Sequence, residues 1–200
     1  MAIFKPKKFK IARRLGAGIY EKTQGQKFLL SQAKKDKNLG RPKRVSDYGR
    51  QLIEKQKVRF MYGVREKQFR NYVEKALAQK SASTPAMRLF ILLESRLDNV
   101  VYRLGLAPTR GAARQMTSHG HIMVNGKRSK VPSQLIKKDD IITIREGSKD
   151  SVMFAEIKEG QVPQWLVWDN TKKQGKVTGI PATPDAMLDF QSVIEFYSRT

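Results

Sequence analysis

Apolar residues recur at helical spacing between residues 46 and 104 of this 200-residue chain. Ser46 is suited to cap a helix N-terminus, and the spacing predicts a helix over about 48–60 that Gly63 interrupts. A second helix, from about Val64 to Ala78, carries one apolar stripe and a basic opposite face. The stripe consists of Phe69, Tyr72, Val73, Ala76 and Leu77. This pattern favours packing in a core over stacking on bases.

The helical pattern resumes after the polar segment SASTP at residues 81–85. Thr84 is predicted as an N-cap and Pro85 as the first helical residue, where a missing N–H leaves no hydrogen bond unmade. Leucine and valine residues then continue the helical period, which predicts a helix up to Gly105.

A short capped helix is predicted next. A turn around Pro108 leads to Thr109 as the N-cap, and the helix is expected to turn Ala113 and Met116 inward. Arg110 and Arg114 are four residues apart, so they lie on one face of this helix.

A hairpin is predicted after that helix. Asn125-Gly126 suits a tight turn because both residues tolerate positive φ. Strands are therefore expected at Ile122–Val124 and over the basic residues 127–130, with a further strand at 141–145.

Both histidines of the chain lie in the segment HGHIMVNG, residues 119–126. Gly120 can end the preceding helix by adopting a left-handed backbone, which places one histidine at a helix exit and the other at a strand entrance. Nothing nearby completes a catalytic or metal-binding set. His119 is suited either to helix capping or to a hydrogen bond with a phosphate or an RNA base, whereas His121 is interpreted as structural.

Charge is the property that most changes this picture. Lys and Arg number 40 against 18 Asp and Glu, giving a formal net charge of +22 and favouring a polyanionic partner. The net charge is +12 over residues 1–45, +6 over 46–91, +5 over 92–150 and −1 over 151–200. Residues 1–45 are polar and interrupted by Gly16, Gly18, Gly25 and Gly40, so they are expected to bury little and to become ordered only against a partner; the alternative is a solvated tail.

Several classes of site are excluded by composition. The chain has no cysteine, so it has no disulfide, no thiolate nucleophile and no Cys-based metal site. No apolar stretch is long enough to span a membrane, and the opening MAIFKPKKFK lacks the apolar core of a secretion signal. We expect an intracellular protein, with no metal and no cofactor assigned.

The order of helix, Thr-capped basic helix, glycine stop and NG hairpin resembles the small RNA-binding module named after ribosomal protein S4. The resemblance rests on RLDNVVYRLGL (96–106), TRGAARQ (109–115), HGHIMVNG (119–126), VPS (131–133) and DDIITIRE (139–146). Outside the module, the chain resembles the small-subunit ribosomal protein S4 family. That likeness rests on SDYGRQLIEKQKVRFMYGVREKQFRNY (46–72), PQWLVWD (163–169) and VIEFYSR (193–199).

The resemblance implies an α+β fold of two domains. A basic N-terminal arm (1–45) precedes a helical first domain (46–91), which the C-terminal residues (178–200) complete. A mixed domain of helices and antiparallel strands (92–177) is inserted into it and contains the RNA-binding module at about 94–150. Many family members bind zinc through cysteines in the arm, and this chain has none.

The resemblance also implies a function. The chain is expected to be a structural constituent of the small ribosomal subunit that binds small-subunit rRNA at a helical junction, nucleates assembly and helps set translational accuracy. Expected partners are the rRNA, neighbouring small-subunit proteins such as S5, and mRNA near its entrance, with no membrane and no small-molecule substrate. The expected location is the cytoplasmic ribosome, or else an organellar one.

Two other functions compete with this interpretation. The same module occurs in enzymes that modify or aminoacylate RNA and in tRNA-binding accessory proteins. The triplet RLD (96–98) resembles the motif that carries the aspartate nucleophile of some pseudouridine synthases, but here it leads into a helix, so Asp98 is interpreted as a partner for a basic or backbone group. The remaining chain leaves no room for a catalytic domain. A DNA-binding protein using 109–118 as a recognition helix is disfavoured by that helix's short length.

The hypothesised RNA contacts are mostly basic, because phosphates and 2′-hydroxyls dominate recognition of folded RNA. Mere solvation of charged faces is the alternative, and for Tyr48 and Tyr62 the alternative to stacking on RNA is a role in the core. The residues are Lys7, Lys8, Lys10, Arg13 and Arg14 on the arm, then Arg44, Tyr48, Lys55, Lys57, Arg59, Tyr62, Arg65, Arg70 and Asn71, and on the module Arg96, Arg103, Thr109, Arg110, Arg114, Gln115, Ser118, His119 and Lys127.

Overall fold

The computed structural model describes residues 7–36, 45–149, 151, 154, 162–184 and 187–199, and those residues form an α+β fold. Their helices are α1 (Lys8–Leu15), α2 (Gln26–Asp36), α3 (Asp47–Met61), α4 (Glu66–Ala78), α5 (Pro85–Glu94), α6 (Leu97–Arg103), α7 (Arg110–His119) and α8 (Phe190–Ser198). Their strands are β1 (Ile122–Val124), β2 (Lys127–Ser129), β3 (Ile141–Ile144), β4 (Leu166–Asp169) and β5 (Gln174–Val177).

The chain divides into two compact units, and the division falls within α4. The N-terminal unit comprises Met1–Arg70 together with Asp185–Thr200, and the sheet unit comprises Asn71–Pro184. The domain boundaries expected from the sequence, at 91 and 178, stay a prediction. Among the described residues, no helix is both long and apolar enough to span a membrane.

Helix starts follow the predicted caps. The side-chain oxygens of Ser46, Thr84 and Thr109 accept hydrogen bonds from the backbone N–H three residues later, at 3.2, 3.3 and 3.1 Å. Each bond satisfies one of the four N–H groups that a helix start leaves without an internal partner. Gly63 and Gly120 have φ of 61° and 74°, so the predicted interruption and the predicted helix stop are both confirmed.

The single helix predicted up to Gly105 is wrong. The structure ends α5 at Glu94 and begins α6 at Leu97, because Arg96 is extended (φ −69°, ψ 137°) and forms an isolated antiparallel bridge with Leu135. Leu97 N–H also donates to the Gln134 carbonyl at 2.8 Å. These partners lie almost forty residues along the chain, beyond the reach of a local period.

The basic N-terminal segment buries more than its composition suggests. Residues 7–36 form α1, two short 3-10 turns and α2, and they contribute five hydrophobic residues to the buried set. Those residues are Ala12, Leu15, Ile19, Tyr20 and Phe28. The expectation that this segment buries little is therefore wrong for its described part.

The C-terminal helix α8 packs along α3 inside the N-terminal unit. The rings of Tyr48 and Phe196 lie 5.5 Å apart, and Gln51 donates to Glu195 at 3.1 Å. The ring of Phe69, at the start of the stripe, lies 6.2 Å from that of Tyr197. The apolar C-terminal residues are therefore covered by their packing against α3.

The sheet unit is built on a five-stranded antiparallel sheet of order β2-β1-β3-β5-β4. The hairpin between β1 and β2 turns at Asn125 and Gly126, whose φ values of 49° and 75° confirm the predicted tight turn. Strands β2 and β4 are the two edges. The core under this sheet joins strand residues such as Ile122 and Ile142 to α6 and α7, including the predicted inward residues Ala113 and Met116.

The apolar stripe of α4 is confirmed except at its end. Phe69, Tyr72, Val73 and Ala76 are buried, whereas Leu77 is 42% exposed.

Candidate nucleic-acid interface

The exposed side of α7 and the edge strand β2 meet at the left-handed residue Gly120. Arg128 on β2 donates from Nε to the Gly120 carbonyl and from Nη2 to the His119 carbonyl, both at 2.9 Å. A cation at a helix C-terminus is favoured by the helix dipole, so this contact ties the strand to the helix end. We define the module surface as the exposed residues Gln115, Ser118, His119, Lys127 and Arg128.

Beside this surface, a buried aspartate holds two arginines. Asp98, which is 3% exposed, accepts from Nε and Nη2 of Arg96 at 3.0 and 2.8 Å. The same carboxylate accepts from Nε and Nη2 of Arg114 at 2.8 and 2.6 Å. Asp98 is therefore a partner for basic groups, as predicted from the sequence.

Arg96 is the innermost member of this group. It is 2% exposed, and its Nη1 donates to the Tyr72 hydroxyl at 2.6 Å. Burial alone would lower the pKa of Arg96, but the Asp98 carboxylate and the Tyr72 hydroxyl outweigh it and raise that pKa. The guanidinium is thus a fixed buried cation.

A second buried carboxylate, Glu94, anchors the neighbouring basic residues. Glu94 is 1% exposed and accepts from Nε and Nη2 of Arg103 at 3.0 and 2.8 Å. It also accepts from the Asn99 amide at 2.9 Å, and the Asn99 carbonyl oxygen accepts from Nε of Arg110 at 2.9 Å. The Arg110 guanidinium lies 4.4 Å from the centre of the Tyr102 ring.

The two histidines have different surroundings. His121 is half-buried, with Nδ1 2.9 Å from the Ser148 hydroxyl and its ring at an edge of Phe154, which fits the structural interpretation. Burial and then the nearby His119, Arg145 and Arg128 lower the pKa of His121, which favours the neutral ring. His119 is exposed, and its RNA contact stays a prediction. Within the described ranges, no group of three or more potential metal ligands occurs.

In the N-terminal unit, the predicted cations of α1 face outward. Lys7, Lys10, Arg13 and Arg14 are exposed, whereas Lys8 is half-buried with its ammonium 5.3 Å from the Tyr20 ring centre. These exposed side chains suit phosphate contact.

Along α3 and α4, the predicted contacts are mixed. Tyr48, Arg65 and Arg70 are exposed, as is Asn71 at the start of the sheet unit. Lys57 is half-buried and pairs with Glu54 at 2.6 Å.

Three predicted contacts are buried and are withdrawn from the proposed RNA surface: Lys55, Tyr62 and Arg96, which are 7%, 2% and 2% exposed. Lys55 bonds Glu66 at 2.6 Å, and its ammonium lies 4.8 Å from the Phe196 ring centre. A sequence pattern records that these residues are basic or aromatic, but it does not record what packs over them. Arg44 lies outside the described residues.

Glu66, which pairs with the buried Lys55, also contacts two other side chains. Its carboxylate accepts from the Tyr197 hydroxyl at 2.8 Å and lies 3.2 Å from Arg59 Nε as an ion pair, while the Nε–H of Arg59 donates to Gln56 at 2.9 Å. Partial burial would raise the pKa of Glu66, but Lys55, Tyr197 and Arg59 together lower it. Burial, followed by the bond to Glu66, raises the pKa of Tyr197. Arg59 is half-buried and contributes to the packing of this unit, and its RNA contact stays a prediction.

The prediction omitted Arg128, which the structure places on the module surface. Its position on the returning strand after the NG turn was the available signal, but no local pattern shows that its guanidinium reaches the end of α7. Thr109, Arg110 and Arg114 lie at the start of α7 or on it, Arg103 lies on α6, and all four are half-buried. The combination of guanidinium, ammonium, amide and hydroxyl groups suits phosphates and 2′-hydroxyls.

Comparison with known proteins shows which family this chain is similar to. The chain matches the family model "Ribosomal protein S4/S9 N-terminal domain" over residues 4–94 and the model "S4 domain" over residues 95–142. It is 43% identical to "Small ribosomal subunit protein uS4" of Roseiflexus sp. (strain RS-1), over 95% of this chain and 96% of that protein. It is 47% identical to the protein of the same name from Lachnospira eligens, over 83% and 85%, and 39% identical to that of Aquifex aeolicus, over 95% of each.

Proposed function

The chain belongs to the family of small ribosomal subunit protein uS4, and from this membership we propose that it is a structural component of the small ribosomal subunit that binds rRNA directly. One observation carries the proposal: the match to a uS4 protein extends over 95% of this chain and 96% of the relative. Similarity over that length includes both compact units, whereas a shared RNA-binding module alone would cover only part of one unit.

The electrostatics support direct RNA binding. A net charge of +22 favours a polyanion, and the exposed cations of α1 and of the module surface are available for phosphates. Folded RNA is recognised largely by shape, 2′-hydroxyls and phosphates, which these side chains can contact without reading base sequence. We propose that these contacts fix the directions of rRNA helices at a junction, and that this nucleates subunit assembly and supports accurate decoding.

The partners proposed besides rRNA are neighbouring small-subunit proteins, with S5 among them, and mRNA near its entrance. The relatives named above are bacterial, so the proposed location is the ribosome of a bacterial cytoplasm. The proposed two-domain layout keeps the helical domain with its C-terminal completion and the inserted module domain.

We propose no enzymatic activity for this chain. The aspartate of the RLD triplet, Asp98, is 3% exposed and is bonded to two guanidinium groups, so it is not available to a substrate. An aspartate nucleophile would need access to the reacting base. Incubation of the purified protein with tRNA and rRNA, followed by nucleoside analysis, should leave both RNAs chemically unchanged.

Footprinting of the purified protein tests the proposal. The substrates are small-subunit rRNA, tRNA and duplex DNA at the same salt concentration, because affinity depends steeply on salt. We expect protection confined to one junction of the rRNA and none on the other two. Protection of tRNA in preference to rRNA would instead favour a tRNA-directed protein. Uniform protection of all three nucleic acids would show that the interaction is a nonspecific attraction between opposite charges.

A further inference from the structure

Three half-buried arginines on α6 and α7 of the sheet unit share one feature. Each donates its Nε inward to a buried acceptor, which leaves the side chain only partly exposed and held at its base. The pairs are Arg103 with Glu94 at 3.0 Å, Arg110 with Asn99 at 2.9 Å, and Arg114 with Asp98 at 2.8 Å.

The acceptors themselves are fixed. Asp98 is held from below by the bidentate Arg96, which is in turn bonded to Tyr72. Glu94 accepts from Asn99, and the Asn99 amide also donates to the Glu94 backbone carbonyl at 3.0 Å. Fully hydrogen-bonded buried networks of this kind are rigid, because any member that moved would leave another unpaired in a medium of low dielectric.

We propose that Glu94 and Asp98 are positioning residues for RNA binding, which orient Arg103, Arg110 and Arg114 towards the phosphates before the RNA arrives. The inference rests on the proposed function. A long side chain that is already ordered loses less conformational entropy on binding, so the anchored arginines bind more tightly than solvated ones. Neither carboxylate touches the RNA, since both are buried under the arginines they hold.

A positioning role and a purely electrostatic role predict opposite changes in RNA affinity when the carboxylate charge is removed. A carboxylate near bound phosphates repels them, so removal of its charge should raise RNA affinity if charge were its only effect. A positioning carboxylate does the reverse: its removal releases the arginine and lowers affinity. The direction of the change therefore separates the two possibilities.

The test uses Asp98→Asn in the full-length chain, with binding to a full-length small-subunit rRNA transcript measured over a range of salt concentrations. Asparagine keeps the volume of the side chain but loses its charge and one acceptor oxygen. We expect about tenfold weaker binding at fixed salt, the usual scale for coupled network residues. The slope of log affinity against log salt should stay unchanged, because the number of phosphate contacts is the same.

Two further variants make the result specific. Asp139→Asn removes an exposed carboxylate of the same unit, 68% of whose side-chain surface is accessible, and should bind as tightly as the parent or more tightly. In an Arg114→Gln background, Asp98→Asn should change affinity less than about twofold, because the residue through which it acts is gone. Glu94→Gln, which acts through Arg103 and Arg110, should also weaken RNA binding. It replaces Asp98→Asn in the test if Asp98→Asn does not fold.

Each outcome has a meaning. Unchanged or tighter binding by folded Asp98→Asn, or by folded Glu94→Gln where that variant is used, would overturn the inference, as would an equal loss in the Arg114→Gln background. If the parent chain itself fails to bind the rRNA transcript, the proposed function fails first, and that failure is distinct from the loss of positioning alone.

Discussion

Replacement of Arg96 by methionine is expected to destabilise the sheet unit by about 3 kcal/mol. Methionine fills much of the same volume but removes three hydrogen bonds, two to Asp98 at 3.0 and 2.8 Å and one to Tyr72 at 2.6 Å. Removal of one partner from a buried ion pair costs about 3–5 kcal/mol because the other charge stays buried. The lower end applies here, since Asp98 keeps Arg114 at 2.6 Å.

Tryptophan fluorescence during urea unfolding measures this loss in the right part of the molecule. The chain contains two tryptophans, Trp165 and Trp168, and both pack against the core of the sheet unit. Their signal therefore follows the unit that holds the buried group of Arg96, Asp98 and Tyr72. A loss of about 3 kcal/mol is a large fraction of the roughly 5–15 kcal/mol that stabilises ordinary domains, so the midpoint shift should be easily resolved.

A matched control comes from an exposed ion pair. Lys176 of the same unit pairs with Asp139 at 3.5 Å, but 53% of its side-chain surface is accessible, so Lys176→Met should cost less than about 1 kcal/mol. The double variant Arg96→Met with Asp98→Asn should lose less stability than the sum of the single changes, because the uncompensated buried charge is gone. A loss for Arg96→Met no greater than that for Lys176→Met would refute the argument that the buried group of Arg96, Asp98 and Tyr72 holds this unit together.

Three other predictions address the helix end, the pH response and the RNA surface. Gly120→Ala should destabilise the sheet unit by about 1–2 kcal/mol, since φ is +74° and a Cβ would collide with the Arg128 guanidinium. Gly111→Ala, on the exposed side of α7, is the control and should be neutral or stabilising. Equal losses of stability in the two variants would contradict this explanation. Stability of the N-terminal unit, followed by far-UV circular dichroism, should fall as pH drops below 4.5, the ordinary pKa of Glu66. The folded state lowers that pKa, so the unfolded state binds more protons in that range; Glu66→Gln should flatten the response, and an unaltered pH profile would sink the assignment. Lys127→Ala should weaken rRNA binding and reduce the slope of log affinity against log salt by roughly 0.7–0.9, the contribution of one phosphate contact, and an identical slope would remove Lys127 from the surface.

Local features of the fold were predictable where the physical cause is itself local. Ser46, Thr84 and Thr109 cap their helices as predicted, because a cap is a hydrogen bond to a backbone N–H three residues away. The tight turn at Asn125-Gly126 likewise depends on the φ preference of two adjacent residues. Identification of Asp98 as a partner for basic groups succeeded because a helix, and not a catalytic loop, follows it.

The predictions that proved wrong concern features whose physical cause lies far away along the chain. The break between α5 and α6 depends on Arg96 bridging Leu135, and the burial of Lys55 depends on Phe196, more than a hundred residues away. The N-terminal segment buries Ala12 and Tyr20 although its composition is strongly basic. A basic residue in a sequence can be a surface cation or a structural one, and only its three-dimensional neighbours distinguish them.

The sequence by itself determined the helix caps, the hairpin turn, the family and the charge that favours a polyanionic partner, because caps, turns and net charge are properties of short segments or of the whole composition. Tertiary structure decided which arginines and lysines remain available to that partner. The physical reason is that availability depends on burial and pairing: Arg96 is enclosed by Asp98 and Tyr72, whereas Lys127 and Arg128 stay on an exposed edge strand.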